Sequence, residues 1–173
     1  MARTDIKAAV VGVGFVGVAH VENLRRLGVD VVGVVGSTPQ RARAKAAAAS
    51  LPHVYDSYAD LLADPDVDVV HITTPNHLHA VQVLQALDAG KHVVCEKPLA
   101  MDSNESAELL ARATASGLVH AVCFNLRYYA NNHEAMALVA DGTIGRSNLV
   151  TGGYLQDWLL LDTDWNWRLD PEV

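Results

Sequence analysis

Three glycines in the string Gly12-Val13-Gly14-Phe15-Val16-Gly17 stand directly after the apolar run Ile6–Val11 and directly before a helical stretch, Val18–Leu27. A loop of this kind can hold a pyrophosphate. Gly12 permits a tight turn, Gly14 lets the backbone approach an anion, and Gly17 lets helix and strand pack closely. The first helical turn then presents unpaired N–H groups to the negative charge. Gly12, Gly14, Phe15, Val16 and Gly17 are therefore predicted to contact a dinucleotide, against the plainer alternative of a structural strand-to-helix turn.

The cofactor's ribose is read further along. A site built for NAD places an acidic residue about 20 positions on, where it bonds the ribose 2′-hydroxyl. Here that place holds Gly36, followed by Ser37, Thr38 and, one helical turn later, Arg41. No carboxylate repels a 2′-phosphate, two hydroxyls can bond it and a guanidinium can pair with it, so NADP is favoured over NAD. The alternative is that Ser37 and Thr38 only cap the helix begun by Pro39, with Arg41 solvated.

Two further strand-like runs end in polar residues. One finishes at Thr73-Thr74-Pro75-Asn76-His77-Leu78-His79, the other at Glu96-Lys97-Pro98. In an open α/β sheet, ligands bind at the carboxyl ends of the strands, so both should face the same crevice as the glycine loop.

The elements that position these residues follow from periodicity. Strands are predicted at Ile6–Val11, Val31–Val35, Val54–Tyr55, Val67–Thr73, His92–Glu96 and Val119–Phe124. Helices are predicted at Phe15–Leu27, Pro39–Ala49, Tyr58–Leu62, His77–Ala89 and Ser103–Ser116, with Gly28, Gly90 and Gly117 closing three of them and Asp102 or Ser103 opening the last. The alternation predicts an α/β fold, a doubly wound parallel (Rossmann) sheet complete by residue 124. Residues 125–173 are expected to begin a second, α+β domain for substrate and oligomer contacts. That region should hold a helix at Asn132–Ala140, a strand-like run at Ser147–Trp158 and an aromatic segment around Trp165, and it looks cut short, because a lone strand and exposed tryptophans cannot make a core.

Composition narrows the partners. A net charge of −7 and a pI near 5.5 offer no electrostatic footprint for nucleic acid or an anionic membrane, which leaves a small soluble ligand. No apolar stretch approaches the roughly 20 residues that cross a bilayer, and residues 1–10 do not read as a signal peptide. Cys95 and Cys123 lie in strand-like runs without a partner at metal-ligand spacing. They are read as buried, reduced thiols, with no metal site and a cytoplasmic location expected.

Taken together, the glycine loop, Thr74-Pro75-Asn76-x-x-His79, Glu96-Lys97-Pro98, Asn125-x-Arg127-Tyr128 and Trp167-Arg168 resemble the glucose–fructose oxidoreductase / inositol dehydrogenase / MocA family of NAD(P)-dependent oxidoreductases. The resemblance implies hydride transfer between NADP(H), or NAD(H), and a secondary alcohol or ketone of a sugar or cyclitol. It implies that Lys97 is catalytic, polarising the substrate hydroxyl and helping its proton leave, and that the Lys97–Pro98 bond is cis. It further implies that Thr74, Pro75, Asn76 and His79 line the ribose and phosphate path, with Glu96 and Lys97 near the nicotinamide end, Asn125 also contacting the cofactor and Trp167-Arg168 folded over it. A structural histidine at 79 and core packing at Trp167 remain open.

Family members also carry an aspartate and a histidine, four apart, in the second domain. Nothing after Trp167-Arg168 supplies that pair, so the chain is expected to bind cofactor but turn over poorly, with a homo-oligomer expected when full length and either aggregation or edge-to-edge pairing expected of the chain as given. A non-catalytic dinucleotide sensor and an inactive fragment stand as alternatives. Glu96-Lys97-Pro98, which a sensor has no chemical reason to carry, favours the enzyme.

Overall fold

The computed structural model describes residues 5–48, 50–51, 53–166 and 169–170. Residues 1–124 and 125–173 form two compact units.

In the first unit, β1 (Lys7–Val11), β2 (Asp30–Val35), β3 (His53–Val54), β4 (Val69–Ile72), β5 (His92–Glu96) and β6 (His120–Cys123) make one parallel sheet in the order β3-β2-β1-β4-β5-β6. The strands are valine-rich because most are covered on both faces. Side chains alternate between faces, so Ala9 and Val11 pack with Val70, Ile72 and Val93 in one core, while Ala8 and Val10 pack with Val31 and Val34 in another.

Helices close both cores. On one face, α1 (Phe15–Arg26) buries Gly17, Val21 and Leu24 at helical spacing, and α2 (Pro39–Ala48) buries Ala42. The other face is covered by α3 (Tyr58–Ala63), α4 (His79–Asp88) and α5 (Ser103–Ser116), through Leu61, Val83, Ala86 and Leu109. The start of α5 is a reciprocal cap: the Asp102 carboxylate accepts from the Asn104 and Glu105 N–H groups, and Glu105 accepts from the Met101 N–H. Gly28, Gly90 and Gly117 follow α1, α4 and α5 with positive φ.

Element positions differ from expectation mainly at ends. The helix expected from His77 begins as a 3-10 turn at Asn76–Leu78 and becomes α-helical only at His79. β4, at Val69–Ile72, is shorter at both ends than the Val67–Thr73 run, and beyond its end the Thr73 hydroxyl bonds the glycine loop.

The second unit opens with a 3-10 turn at Asn125–Tyr128 and α6 (Ala130–Ala140), which has no buried residue. The strand expected over Ser147–Trp158 does not form. Residues 145–156 are irregular, Leu155 is 96% exposed, and among the described residues no second strand of this unit offers the run a ladder. Among the described residues no helix is long and apolar enough to cross a membrane.

Candidate dinucleotide site

The chain runs outward from β1 to β2 and β3 on one side, then crosses to β4, β5 and β6 on the other. The reversal leaves a crevice at the carboxyl edge of β1. A cleft of about 910 Å³ lies there, and Gly12, Gly14, Ser37, Arg41, Thr74 and Pro75 all line it.

The geometry of the glycine loop explains its residues. Gly12 sits at φ +103°, with its N–H donated to the Val35 carbonyl. A Cβ on Gly17 would lie 1.9 Å from the Gly12 carbonyl oxygen, so only glycine lets α1 start this close to β1. A Cβ on Gly14 would meet nothing within 4 Å. No side chain caps the start of α1, so its N-terminus faces that open space with its dipole uncompensated, an arrangement that fits a pyrophosphate. Phe15, 90% exposed, and Val16 do not line the cleft.

At the β2 end, a Cβ on Gly36 would sit 2.9 Å from the Val13 side chain and 3.0 Å from that of Ala42. A carboxylate there would require these neighbours to move. Thr38 caps α2, its hydroxyl accepting from the Arg41 N–H at 3.3 Å, and it does not line the cleft. Ser37 and Arg41 do line it, joined by Lys45, one turn after Arg41 on α2. Spacing of four from Arg41 was the signal for Lys45, which sequence reasoning passed over.

The ends of β4 and β5 are tied to this loop. The Thr73 hydroxyl lies within bonding distance of the Val11 and Gly12 carbonyl oxygens, at 2.9 and 3.1 Å, and the Thr74 hydroxyl donates to Gln82 at 2.6 Å. His79 is wholly buried, with Nδ1 2.7 Å from the Pro98 carbonyl oxygen and Nε2 2.9 Å from that of Thr74. It cannot touch a cofactor. It clamps the Thr74 and Pro98 loops together, which corrects the cofactor contact expected of it. Lys97 is exposed and its bond to Pro98 is cis. Asn76 is half-buried at the start of its 3-10 turn and lies outside the cleft lining. Asn125 opens the second unit, and Trp167 and Arg168 lie outside the described residues.

Beside Lys97 lies a polar network that sequence reasoning missed. His20 of α1 places Nε2 3.1 Å from Glu96 Oε1 and Nδ1 2.9 Å from His71 Nδ1. An ionised carboxylate only accepts, so His20 Nε2–H donates to Glu96; neutral His20 then accepts at Nδ1 from His71 Nδ1–H. Burial, then the neighbouring His20, push the His71 pKa down to about 4. Burial is also the largest influence on Glu96 and raises its pKa, but hydrogen bonds from His20 and Cys123 outweigh it and hold the carboxyl below its ordinary value. Cys123 is half-buried rather than buried, whereas Cys95 is buried and its thiol is pushed up to about 12, chiefly by burial.

Similarity to known proteins covers this whole arrangement. Residues 6–124 match the family model described as an oxidoreductase family with an NAD-binding Rossmann fold. Over 98% of its length the chain is 33% identical to levoglucosan dehydrogenase of Pseudarthrobacter phenanthrenivorans, of which it covers 46%. It is 36% identical to inositol 2-dehydrogenase of Rhodococcus jostii, over 82% of this chain and 40% of that one. A solved structure of levoglucosan dehydrogenase in complex with NADH superposes with a TM-score of 0.75 at 31% identity, over 82% of this chain and 40% of the other. The chain thus spans less than half the length of these relatives.

Proposed function

Because the chain belongs to the glucose–fructose oxidoreductase / inositol dehydrogenase / MocA oxidoreductase family, we propose that it binds NADP(H) in the 910 Å³ cleft and serves hydride transfer to or from a secondary carbinol carbon of a sugar or cyclitol. The observation that carries this reading is the convergence of the glycine loop, Ser37, Arg41 and Thr74 on one cleft at the point where strand order reverses. The substrate class rests on the relatives, which are named as levoglucosan and inositol dehydrogenases.

Each residue has a role in the proposal. The α1 N-terminus and Gly14 hold the pyrophosphate, while Ser37, Arg41 and Lys45 hold the 2′-phosphate. Thr74, Pro75 and Asn76 flank the ribose path, and Glu96 stands at its nicotinamide end. The bound dinucleotide supplies the hydride acceptor or donor. Lys97 polarises the substrate oxygen and shares its proton as the C–H bond breaks or forms. Residues 1–124 form the dinucleotide-binding domain, and residues from 125 onward belong to the substrate-facing part.

Fluorescence titration with NADPH and NADH tests the cofactor assignment. NADPH is expected to bind more tightly, and Arg41→Ala to weaken NADPH by about 10–100-fold, the value of one or two charge-assisted bonds, with NADH nearly unchanged. Equal affinities in the unaltered chain would overturn the preference, and no binding of either would overturn the site. For the chemistry, NADPH oxidation by the protein is measured against a panel of sugar and cyclitol ketones. Lys97→Ala should lower turnover by at least about 100-fold, with a much smaller change in NADPH affinity. An unchanged rate removes Lys97 from the mechanism.

A further inference from the structure

His20 from α1, Glu96 from the end of β5 and Cys123 from the end of β6 bring an imidazole nitrogen, a carboxylate oxygen and a sulfur within 4.8 Å of one another. The parallel register makes this possible, since Glu96 and Cys123 are direct neighbours across β5 and β6. His20 and Glu96 side chains are only 12% and 14% exposed, and Cys123 is half-buried.

A tetrahedral zinc ion with bonds of about 2.0–2.3 Å needs its donors roughly 3.3–3.8 Å apart. His20 Nε2 and Glu96 Oε1 already stand at 3.1 Å. Side-chain adjustments on the order of 1 Å would bring all three onto one ion. Imidazole, carboxylate and thiolate together suit a borderline cation such as zinc rather than magnesium or calcium. One Glu96 carboxylate and one Cys123 thiolate also neutralise the double charge.

The outer shell is in place as well. With the metal on Nε2, His20 carries its proton on Nδ1, 2.9 Å from His71 Nδ1. His71 then accepts that bond and carries its own proton on Nε2, the type of support that orients metal-bound histidines. Both rings keep one proton, so one proton in total leaves, from the Cys123 thiol to solvent.

We propose that His20, Glu96 and Cys123 form a three-ligand zinc site beside Lys97, with a fourth coordination position left for water or another small donor. The test uses the chain as it is and needs no turnover. After equilibration with zinc chloride and dialysis against metal-free buffer, the chain is expected to retain one zinc. Cobalt(II) in its place should give a thiolate-to-metal charge-transfer band. Cys123→Ser and Glu96→Gln should each lower zinc affinity by at least about tenfold and abolish the zinc-dependent rise in melting temperature. Both variants keep near-isosteric side chains, and circular dichroism confirms their fold. Zinc retained equally by both variants, or a cobalt spectrum without the thiolate band, would overturn the site.

Discussion

Gly17→Ala is expected to lose dinucleotide binding and stability together. The added Cβ would lie 1.9 Å from the Gly12 carbonyl oxygen, 2.8 Å from its carbon and 2.9 Å from the Thr73 hydroxyl. The first two contacts are backbone, so no rotamer change relieves them. α1 must move away from β1, costing about 1–3 kcal/mol as overpacking does and carrying the helix N-terminus off the pyrophosphate position. Gly14→Ala supplies the contrast. Its Cβ meets nothing, and its φ of −72° suits alanine. Stability should fall by less than about 1 kcal/mol, the scale of a weakened helix cap, while NADPH affinity drops at least about tenfold because the methyl stands where the anion must approach. Thermal melts and NADPH titration of the two variants separate the roles. If Gly17→Ala melts and binds like the unaltered chain, the close helix–strand approach is not what the loop requires.

The second large effect is acid lability centred on His71. Its pKa is about 4 in the fold against an ordinary 6.5, because burial and then His20 disfavour the charged ring. Above pH 6.5 the ring is neutral whether the chain is folded or not, and it contributes no pH dependence. Between 6.5 and 4 the unfolded chain takes up a proton that the fold refuses, so stability falls with pH by about 1.4 kcal/mol per unit, or about 3 kcal/mol across the window. Urea denaturation at pH 7 and pH 4 reads this directly. Carboxylates with lowered pKa, Glu96, Asp64 and Asp141, add acid sensitivity of their own, so the diagnostic quantity is the difference from His71→Gln. That variant can still bond His20 and does not titrate. Its loss of stability from pH 7 to pH 4 should be smaller by roughly 2–3 kcal/mol; an equal loss would show that His71 is not the acid-sensitive group.

Much of the first unit was legible in the amino-acid order. Short valine-rich runs alternating with helical periodicity specify a parallel sheet between two helical layers, because each signal depends only on neighbours a few positions away. The end of β5 at Glu96 falls where expected, and so do both ends of α5, since Asp102 is a local start signal and Gly117 a local stop signal. The run at 147–158 failed for the converse reason: alternation shows that a segment can be a strand, but a strand exists only with a partner.

The candidate site divides along the same line. The sequence by itself determined that a glycine loop, Ser37, Arg41 and Thr74 would stand at strand ends facing one crevice, because in a doubly wound sheet every strand's carboxyl end points the same way; Lys97 also follows a strand end but lies outside that cleft's lining. Only the tertiary structure decided what surrounds them. It buried His79 as a clamp, filled the space around Gly36, assigned Thr38 to a helix cap and added Lys45 to the cleft. It also gathered around His20 three residues, His71, Glu96 and Cys123, which stand 51 to 103 positions after it in the chain. No spacing rule could have joined them, since their meeting depends on the register of parallel strands and on the angle at which α1 packs, both of which are fixed by the whole core.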